Sequence, residues 1–272
     1  MNWHPGQITL PEARLLWRSG GDGRKLVCCF HGYEQDSRVY QLVFPDIPTD
    51  ARVLSFDVPP FGGSAWLGDY KPLGEAFFTS LFEEILDQFQ PDEVYLVGFS
   101  MGARWAMGLA ALPFTEIKGL VLAAPTGGKV PWLHTFGTRT WAGRATATYL
   151  MNNPALIRYP LERYHRYRPM PTDLYHYLHT HLKTPHRMLQ VKQVWELYDK
   201  MATPWQALGK MEVPVHLIWG RYDRIIPFRH SSFWLNKIPH AKLHPLPAAH
   251  LLLDQEPGAC RKIIQQVLSE GF

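Results

Sequence analysis

The amino-acid sequence predicts an α/β fold in which helices cover both faces of a mostly parallel, doubly wound sheet. Three observations predict it: short apolar runs of strand composition, amphipathic stretches between them, and turn residues at the ends of the runs. Strands of a parallel sheet are buried on both faces and therefore form continuous apolar runs. With 272 residues, 46% of them hydrophobic and 19% charged, the chain has room for one large domain or for a core with an insertion.

Six apolar runs are the predicted strands, after an amino-terminal stretch with room for one or two more. They are residues 25–30, 52–58, 93–99, 118–124, 213–219 and 241–246. The predicted helices between and after them are 73–89, 101–112, 228–237 and 251–268. Right-handed crossovers bring the carboxyl ends of all parallel strands to one edge of the sheet, which is where such sheets bind ligands.

The alternation of strands and helices breaks between about Thr126 and Trp205. We therefore predict a core of residues 1–125 and 206–272 and a mainly helical insertion, or lid, at 126–205. The insertion contains 11 Lys and Arg against 4 Asp and Glu, whereas the rest of the chain contains 17 basic and 20 acidic residues. Positive charge is thus concentrated in the insertion.

Cysteine usage and the amino-terminal sequence limit the cellular context. Three cysteines, of which Cys28 and Cys29 are adjacent, form neither the pattern of a disulfide framework nor that of a zinc site, so we expect no metal. The amino-terminal residues lack the basic start and apolar stretch of a secretory signal. No run approaches the roughly 18 apolar residues that span a bilayer. The expected location is the cytoplasm.

A candidate nucleophile lies between the predicted strand 93–99 and the Ala-rich helix after it. Gly98-Phe99-Ser100-Met101-Gly102 has the G-x-S-x-G pattern in the strand–turn–helix context that this motif requires. Such a turn presents the serine hydroxyl at the strand tip in a strained backbone conformation, and the flanking glycines allow neighbouring backbone to pass closely. The alternative is a serine that only caps the helix.

A serine hydroxyl needs a base, and a histidine is the usual one. Of the 13 histidines, His250 alone follows the last predicted strand through a short loop at the same edge. By position alone, a capping or surface role is equally compatible with it.

A carboxylate is needed to orient the histidine and stabilise its charged form. Asp223 follows the strand 213–219 and is our prediction, although a turn aspartate is common after a glycine. Asp254 is an alternative that we expect to face away along a helix, and Asp57 is interpreted as a structural turn residue. Ser100, Asp223 and His250 all follow strand ends in the order Ser, Asp, His, which favours a catalytic triad.

These residues resemble those of an α/β-hydrolase fold enzyme with a lid, and the resemblance covers nearly all of the chain outside the insertion. It rests on His31-Gly32, the turn 57–64, the serine turn 98–102, the loop 220–223 with Pro227, and His250. The resemblance implies that the backbone N–H groups of Tyr33 and Met101 bind the oxyanion, and that no cofactor is needed. It also implies a hydrolase of carboxylic esters or thioesters.

Two other functions stay open at this point. The same triad supports hydrolysis of a carbon–carbon bond, and the alternative from another class is a binding protein that keeps the fold only to bind a ligand. Labelling of the serine by a fluorophosphonate distinguishes the second from an enzyme.

The partner of the insertion is also open. Arg158, Arg163, Arg166 and Arg168 form either a solvated surface or a site for an acidic carrier protein or coenzyme A, as in the pimeloyl-carrier-protein methyl esterases that this charge pattern resembles. Trp132 and Trp141, with Trp195, either line an acyl pocket or form the core of the lid. No nucleic-acid-binding module accompanies the basic residues, so we expect a small-molecule substrate and no nucleic acid.

Overall fold

The structure is a computed structural model that describes residues 2–128, 140–170, 175, 179, 185–199 and 201–270. The described residues form a sheet of nine strands. They are β1 (His4–Thr9), β2 (Ala13–Gly21), β3 (Lys25–Phe30), β4 (Ala51–Phe56), β5 (Ala65–Trp66), β6 (Glu93–Phe99), β7 (Ile117–Ala123), β8 (Val215–Gly220) and β9 (Lys242–Leu246).

The strands lie in the order β1-β2-β4-β3-β6-β7-β8-β9, and β5 pairs with β2. Strand β2 pairs in antiparallel fashion with β1, β4 and β5, whereas the pairs from β4 through β3, β6, β7 and β8 to β9 are all parallel. The predicted mostly parallel α/β fold is therefore confirmed. The apolar runs of the inner parallel strands are covered on both faces, as the fully buried β8 illustrates, whereas the edge strand β9 is only partly buried.

The helices of the described residues lie between and after these strands. They are α1 (Val39–Val43), α2 (Glu75–Phe89), α3 (Ala103–Ala110), α4 (Trp141–Asn152), α5 (Ala155–Tyr167), α6 (Pro185–Val194), α7 (Trp205–Gly209), α8 (Ser231–Lys237), α9 (Leu252–Gln255) and α10 (Pro257–Glu270). Helix α2 buries Phe77, Leu81 and Ile85 at helical spacing. It ends at Gln90, which has a left-handed φ of 44° and precedes Pro91.

In addition to the predicted helix 228–237, whose first turn is the 3₁₀ turn Phe228–His230, two predicted helices differ from the structure. The first, 101–112, begins as a 3₁₀ turn at Ser100–Gly102 and becomes α-helical only in α3. The second, 251–268, is divided into α9 and α10 at Glu256, whose φ of −132° and ψ of 49° are not helical. The proline at position 257 disfavours the helical conformation in the residue before it, which explains the break.

The cysteines are part of the core, as adjacent positions on a strand suggest. Cys28 and Cys29 are fully buried in β3, and Cys260 is fully buried in α10. Burial raises the pKa of both β3 thiols and raises the pKa of Cys260 to about 12. These thiols are therefore unreactive at neutral pH.

The chain divides into two compact units. One comprises Met1–Asp69, Leu73–Gly128 and Ala202–Phe272, and the other comprises Tyr70–Pro72 and Lys129–Met201. The described residues of the second unit contain helices and a short π-helical turn, Trp195–Asp199, but no strand. Within it, Met188 packs against Ile157, Leu161, Val191 and Trp195. The predicted insertion at 126–205 and its role as a lid remain predictions.

Among the described residues, no helix is long and apolar enough to cross a membrane.

Candidate active site

Three side chains from three different strand ends meet in the first of the two units. Ser100 directly follows β6, Asp223 lies in the loop after β8, and His250 lies in the loop after β9. All three are buried, with only 6%, 5% and 7% of their surfaces exposed. Polar side chains so far removed from water require hydrogen-bond partners, and they are partners of one another.

Ser100 occupies the turn between β6 and the 3₁₀ turn before α3. Its φ is 50°, a left-handed conformation that a side chain other than glycine rarely adopts. A Cβ atom at Gly98 would lie 2.5 Å from the Cα of Ala103, and one at Gly102 would lie 2.2 Å from the carbonyl oxygen of Phe30. Glycine at these positions therefore lets the turn close tightly against α3 and the end of β3.

His250 connects the serine and the carboxylate through its two ring nitrogens. Its Nδ1 lies 2.8 Å from Oδ2 of Asp223, and its Nε2 lies 3.0 Å from Oγ of Ser100. Since an ionised carboxylate only accepts hydrogen bonds, Nδ1 carries the proton of the neutral imidazole and Nε2 is left to accept from the serine hydroxyl. In this tautomer the imidazole is ready to take the serine proton.

The second oxygen of Asp223 is used to hold the carboxylate in place. Oδ1 accepts the backbone N–H groups of Ile225 at 2.9 Å and Ile226 at 2.8 Å. Three hydrogen bonds to the charged form stabilise a carboxylate whose side chain is fully buried. The turn after β8 therefore orients Asp223, which in turn orients His250.

The two other carboxylates considered from the sequence have different partners. Asp254 accepts a hydrogen bond from the side chain of Gln35. Asp57 accepts from the backbone N–H groups of Ser37 and Gly63, both at 2.7 Å, and so closes the turn after β4. Among the described contacts, His250 has its carboxylate partner in Asp223 alone.

The segment that contains Tyr33 lies beside the serine turn, since Gly102 approaches the carbonyl oxygens of both Phe30 and His31. Its first residue, His31, is fully buried; its Nδ1 lies 2.7 Å from the Gly32 carbonyl oxygen and its Nε2 accepts the Val58 N–H at 2.8 Å. Burial lowers the pKa of His31, which therefore stays neutral. The bracing role of His31 was missed from the sequence, because its partner Val58 follows another strand.

The arginines predicted to bind a partner belong to the second unit, whereas Ser100, Asp223 and His250 belong to the first. Arg158, Arg163 and Arg166 are on α5, and Arg168 directly follows it. Arg158 forms an ion pair with Glu162 at 3.6 Å, whereas the other three arginines are on the exposed surface.

Of the tryptophans predicted to line a pocket or a lid core, Trp132 lies outside the described residues. Trp141, at the start of α4, is 81% exposed, so the core interpretation does not apply to it. Trp195 packs against Met188 and does belong to a small core of the second unit.

No group of three or more His, Cys, Asp or Glu side chains among the described residues is arranged to hold a metal ion.

The parallel sheet, the strained turn after β6 and the residues at its carboxyl edge define the class of protein: an α/β hydrolase. The chain belongs to the alpha/beta hydrolase fold family, whose model matches residues 25–257.

The comparisons with individual proteins agree with this class. The chain is 24% identical to an uncharacterised hydrolase of Bacillus subtilis, over 86% of each chain. It is 28% identical to a poly(3-hydroxyalkanoate) depolymerase of Ectopseudomonas oleovorans, over 85% of this chain and 80% of the relative. The solved structure of an esterase from Thermogutta terrifontis superposes with a TM-score of 0.69 over 98% of each chain. The two sequences are 18% identical, and the two proteins share the fold. These relatives support an enzyme of the hydrolase type.

Proposed function

We propose that this protein is a serine hydrolase that cleaves a carboxylic ester or thioester through an acyl-enzyme intermediate. The observation that carries the proposal is the continuous hydrogen-bonded chain from Ser100 Oγ through His250 to Asp223, with distances of 3.0 Å and 2.8 Å. A nucleophile, a base and an orienting acid within hydrogen-bond reach are the requirement for this chemistry.

In the acylation step, Oγ of Ser100 attacks the substrate carbonyl carbon while Nε2 of His250 takes the hydroxyl proton. The backbone N–H groups of Tyr33 and Met101 donate to the oxyanion, and Asp223 stabilises the imidazolium. His250 then gives its proton to the departing alcohol or thiol. In the second half, His250 takes a proton from water as the water oxygen attacks the acyl carbon. His250 then returns this proton to Ser100 Oγ as the bond from Oγ to the acyl carbon breaks, which releases the carboxylic acid and the free serine.

The similarity to a poly(3-hydroxyalkanoate) depolymerase supports esters as the first substrates to test. Among these esters, short oligomers of 3-hydroxyalkanoic acids come first, because this relative is a depolymerase of poly(3-hydroxyalkanoate). Thioesters undergo the same two steps with a thiol as leaving group.

The basic helix α5 supports an anionic partner, such as an acidic carrier protein or coenzyme A attached to the acyl group. Arg163, Arg166 and Arg168 are exposed there, and the surrounding residues 126–205 contain 11 basic against 4 acidic side chains. Exposed positive charge of this density attracts negatively charged partners over a distance of about 10 Å in ordinary buffer.

Comparison of the native protein with Ser100→Ala tests the proposal. We expect hydrolysis of p-nitrophenyl esters by the native protein, a loss of about 10⁴-fold or more in kcat for Ser100→Ala, and covalent labelling by a fluorophosphonate at Ser100. Acyl thioesters and a diketone-type substrate, assayed in parallel, identify the bond that is cleaved. Preferential cleavage of the diketone would favour a carbon–carbon hydrolase, and an unlabelled Ser100 would favour a binding protein.

A further inference from the structure

Gln35 joins two loops of the candidate active site that are distant in sequence. The backbone N–H of Gly32 donates to Oε1 of Gln35 at 3.0 Å, and Nε2 of Gln35 donates to Oδ2 of Asp254 at 3.1 Å. Gly32 directly precedes Tyr33, and Asp254 belongs to α9, the helix after His250. One amide side chain therefore connects the segment of the proposed oxyanion donor with the segment of the proposed base.

We infer that Gln35 is a positioning residue that, together with Asp254, sets the direction of the Tyr33 N–H in the oxyanion hole. The inference rests on the proposed function and adds to it a residue pair to which neither the resemblance nor the motifs assign a role.

The first argument is the planarity of the peptide between Gly32 and Tyr33. The Gly32 carbonyl and the Tyr33 N–H belong to the same trans unit and point in opposite directions. The carbonyl oxygen lies 2.7 Å from His31 Nδ1, which donates to it, and also accepts the backbone N–H of Gln35 at 3.4 Å. Because Gln35 holds the Gly32 N–H with its side chain and the Gly32 carbonyl with its main chain, it restrains the peptide units on both sides of Gly32.

The second argument is the chemistry of the bridge. A backbone N–H needs an acceptor and an ionised carboxylate needs a donor, and an amide side chain offers one of each. Asp254 makes the bridge sensitive to charge: desolvation of its carboxylate raises its pKa, although the bond from Gln35 lowers it in part. A second carboxylate at position 35 would therefore meet an already destabilised charge.

The third argument is the attachment of the other end of the bridge. Helix α9 begins where the Leu252 N–H donates to the His250 carbonyl oxygen at 2.8 Å. The side chain of Gln255, next to Asp254, accepts the N–H of Ala249 at 2.7 Å. The short helix thus holds both the loop that carries His250 and, through Gln35, the loop that carries Tyr33.

The test is a reciprocal exchange of the two partners, with kcat and KM measured on a p-nitrophenyl ester at pH 8. Gln35→Glu places two carboxylates together, and we expect kcat to fall about 10-fold to 100-fold with KM nearly unchanged, because a displaced donor affects the transition state more than the bound substrate. Asp254→Asn alone should lower kcat less than Gln35→Glu does, since an asparagine oxygen still accepts from Gln35 but without the negative charge.

The double variant Gln35→Glu/Asp254→Asn restores a donor facing an acceptor with the roles reversed, and we expect it to recover kcat to within about threefold of the native value. Gln41→Leu, in the same surface pocket lined by Gln35 and Asp254, is the matched control and should keep native kcat. Melting temperatures of all variants verify folding. Native kcat in Gln35→Glu, or a double variant as slow as that single variant, would overturn the inference.

Amide hydrogen exchange of residues 31–35 gives a readout that does not depend on turnover. We expect faster exchange in Gln35→Leu than in Gln41→Leu, since the Gly32 N–H loses its acceptor. If the native protein shows no Ser100-dependent hydrolysis, the proposed function fails, while the exchange rates still decide whether Gln35 restrains this segment. Equal exchange in the two leucine variants contradicts the restraint.

Discussion

Beside strands β8 and β9, a histidine is hydrogen-bonded to a carboxylate at each of two levels, and the two levels differ in the third partner. At their carboxyl ends, His250 lies between Asp223 and Ser100. Nearer their amino ends, the fully buried His216 on β8 lies 3.3 Å from Oε2 of Glu270 and 3.1 Å from Nε2 of His244 on β9. Both levels therefore contain an imidazole that is hydrogen-bonded through both of its nitrogens.

We call the level of His216 and Glu270 the lower level and that of His250, Asp223 and Ser100 the upper level. The lower level shows why a histidine–carboxylate pair does not by itself indicate catalysis. Glu270 accepts from Nε2 of His216, so Nδ1 of that ring accepts from His244, and neither nitrogen meets a hydroxyl. Glu270 is further held by Lys242 at 2.7 Å and Gln266 at 2.6 Å. At the upper level the second nitrogen meets a serine in a strained turn at a strand end. The serine hydroxyl and its place at the sheet edge separate the two levels.

The largest effect is expected from replacing the acid of the upper level. Asp223→Asn favours the wrong tautomer of His250 while its shape is kept, and we expect kcat on a p-nitrophenyl ester to fall about 10⁴-fold. Glu270→Gln, the matching change at the lower level, should leave kcat within about twofold of native, because no reacting group lies beside it. Comparable losses in the two variants would remove the distinction between the levels.

A smaller effect concerns the pH dependence of stability. Burial lowers the pKa of both His216 and His244, and the neighbouring charged groups are Glu270 and Lys242. The unfolded chain therefore binds more protons than the folded chain as pH falls below about 6.5, so the free energy of unfolding decreases with decreasing pH.

The double variant His216→Gln/His244→Gln removes this difference in proton binding. We expect its urea-unfolding free energy to vary less between pH 7.5 and pH 5 than that of the native protein, by at most about 1.4 kcal/mol per pH unit for each buried histidine and by less for the half-exposed His244. Replacing His4, whose exposed side chain lies on β1, serves as the control and should keep the native slope. If the unfolding free energy of the double variant varied with pH as steeply as that of the native protein, His216 and His244 would not be the source of this pH dependence.

The same measurement extends to a lower pH range through Glu270. Its hydrogen bonds, first from Lys242 and then from Gln266, lower its pKa to about 2. Because the folded pKa is below the unfolded value of about 4.3, the carboxylate stabilises the native state above that value and this contribution is lost as pH falls toward 2. In Glu270→Gln, the free energy of unfolding should therefore vary less with pH below about pH 4.5, a range below that of the histidines.

The smallest effect is expected at α5, outside both levels. Replacing Arg163, Arg166 and Arg168 with alanine should leave kcat/KM for a neutral short ester unchanged and lower it about threefold to tenfold for a carrier-linked or coenzyme-A-linked substrate. This difference should shrink at high salt, because exposed charges are screened. Equal losses on both substrates would exclude contact with an anionic partner.

The sequence predicted the parallel strands well because each is a continuous apolar run whose composition is set locally. Residues 93–99, for example, form β6 without a shift in either boundary. Less accurate were elements with weak local signals. Strand β5 has only two residues, which are too few to form an apolar run. The break at Glu256 depends on the proline that follows it, in a stretch whose apolar residues otherwise keep helical spacing.

The site was predictable to the extent that strand ends are predictable. Ser100, Asp223 and His250 each follow an apolar run, and a parallel sheet brings such positions together whatever the intervening sequence. Gln35 and Asp254 were not recognisable as partners, because they are 219 positions apart and their contact depends on how the loop after β3 meets α9. Nor did the exposure of Trp141 follow from its residue type, since tryptophan is found both in cores and on surfaces.

By itself, the sequence determined the α/β class, the positions of the parallel strands and the three residues at their ends, because hydrophobic burial and turn chemistry act over a few neighbouring residues. Only the tertiary structure decided which carboxylate meets His250, which side chain joins the loops of Tyr33 and His250, and where His216 finds Glu270. Those pairings depend on atomic distances between segments that are remote in the chain, and a hydrogen bond tolerates an error of only a few tenths of an ångström.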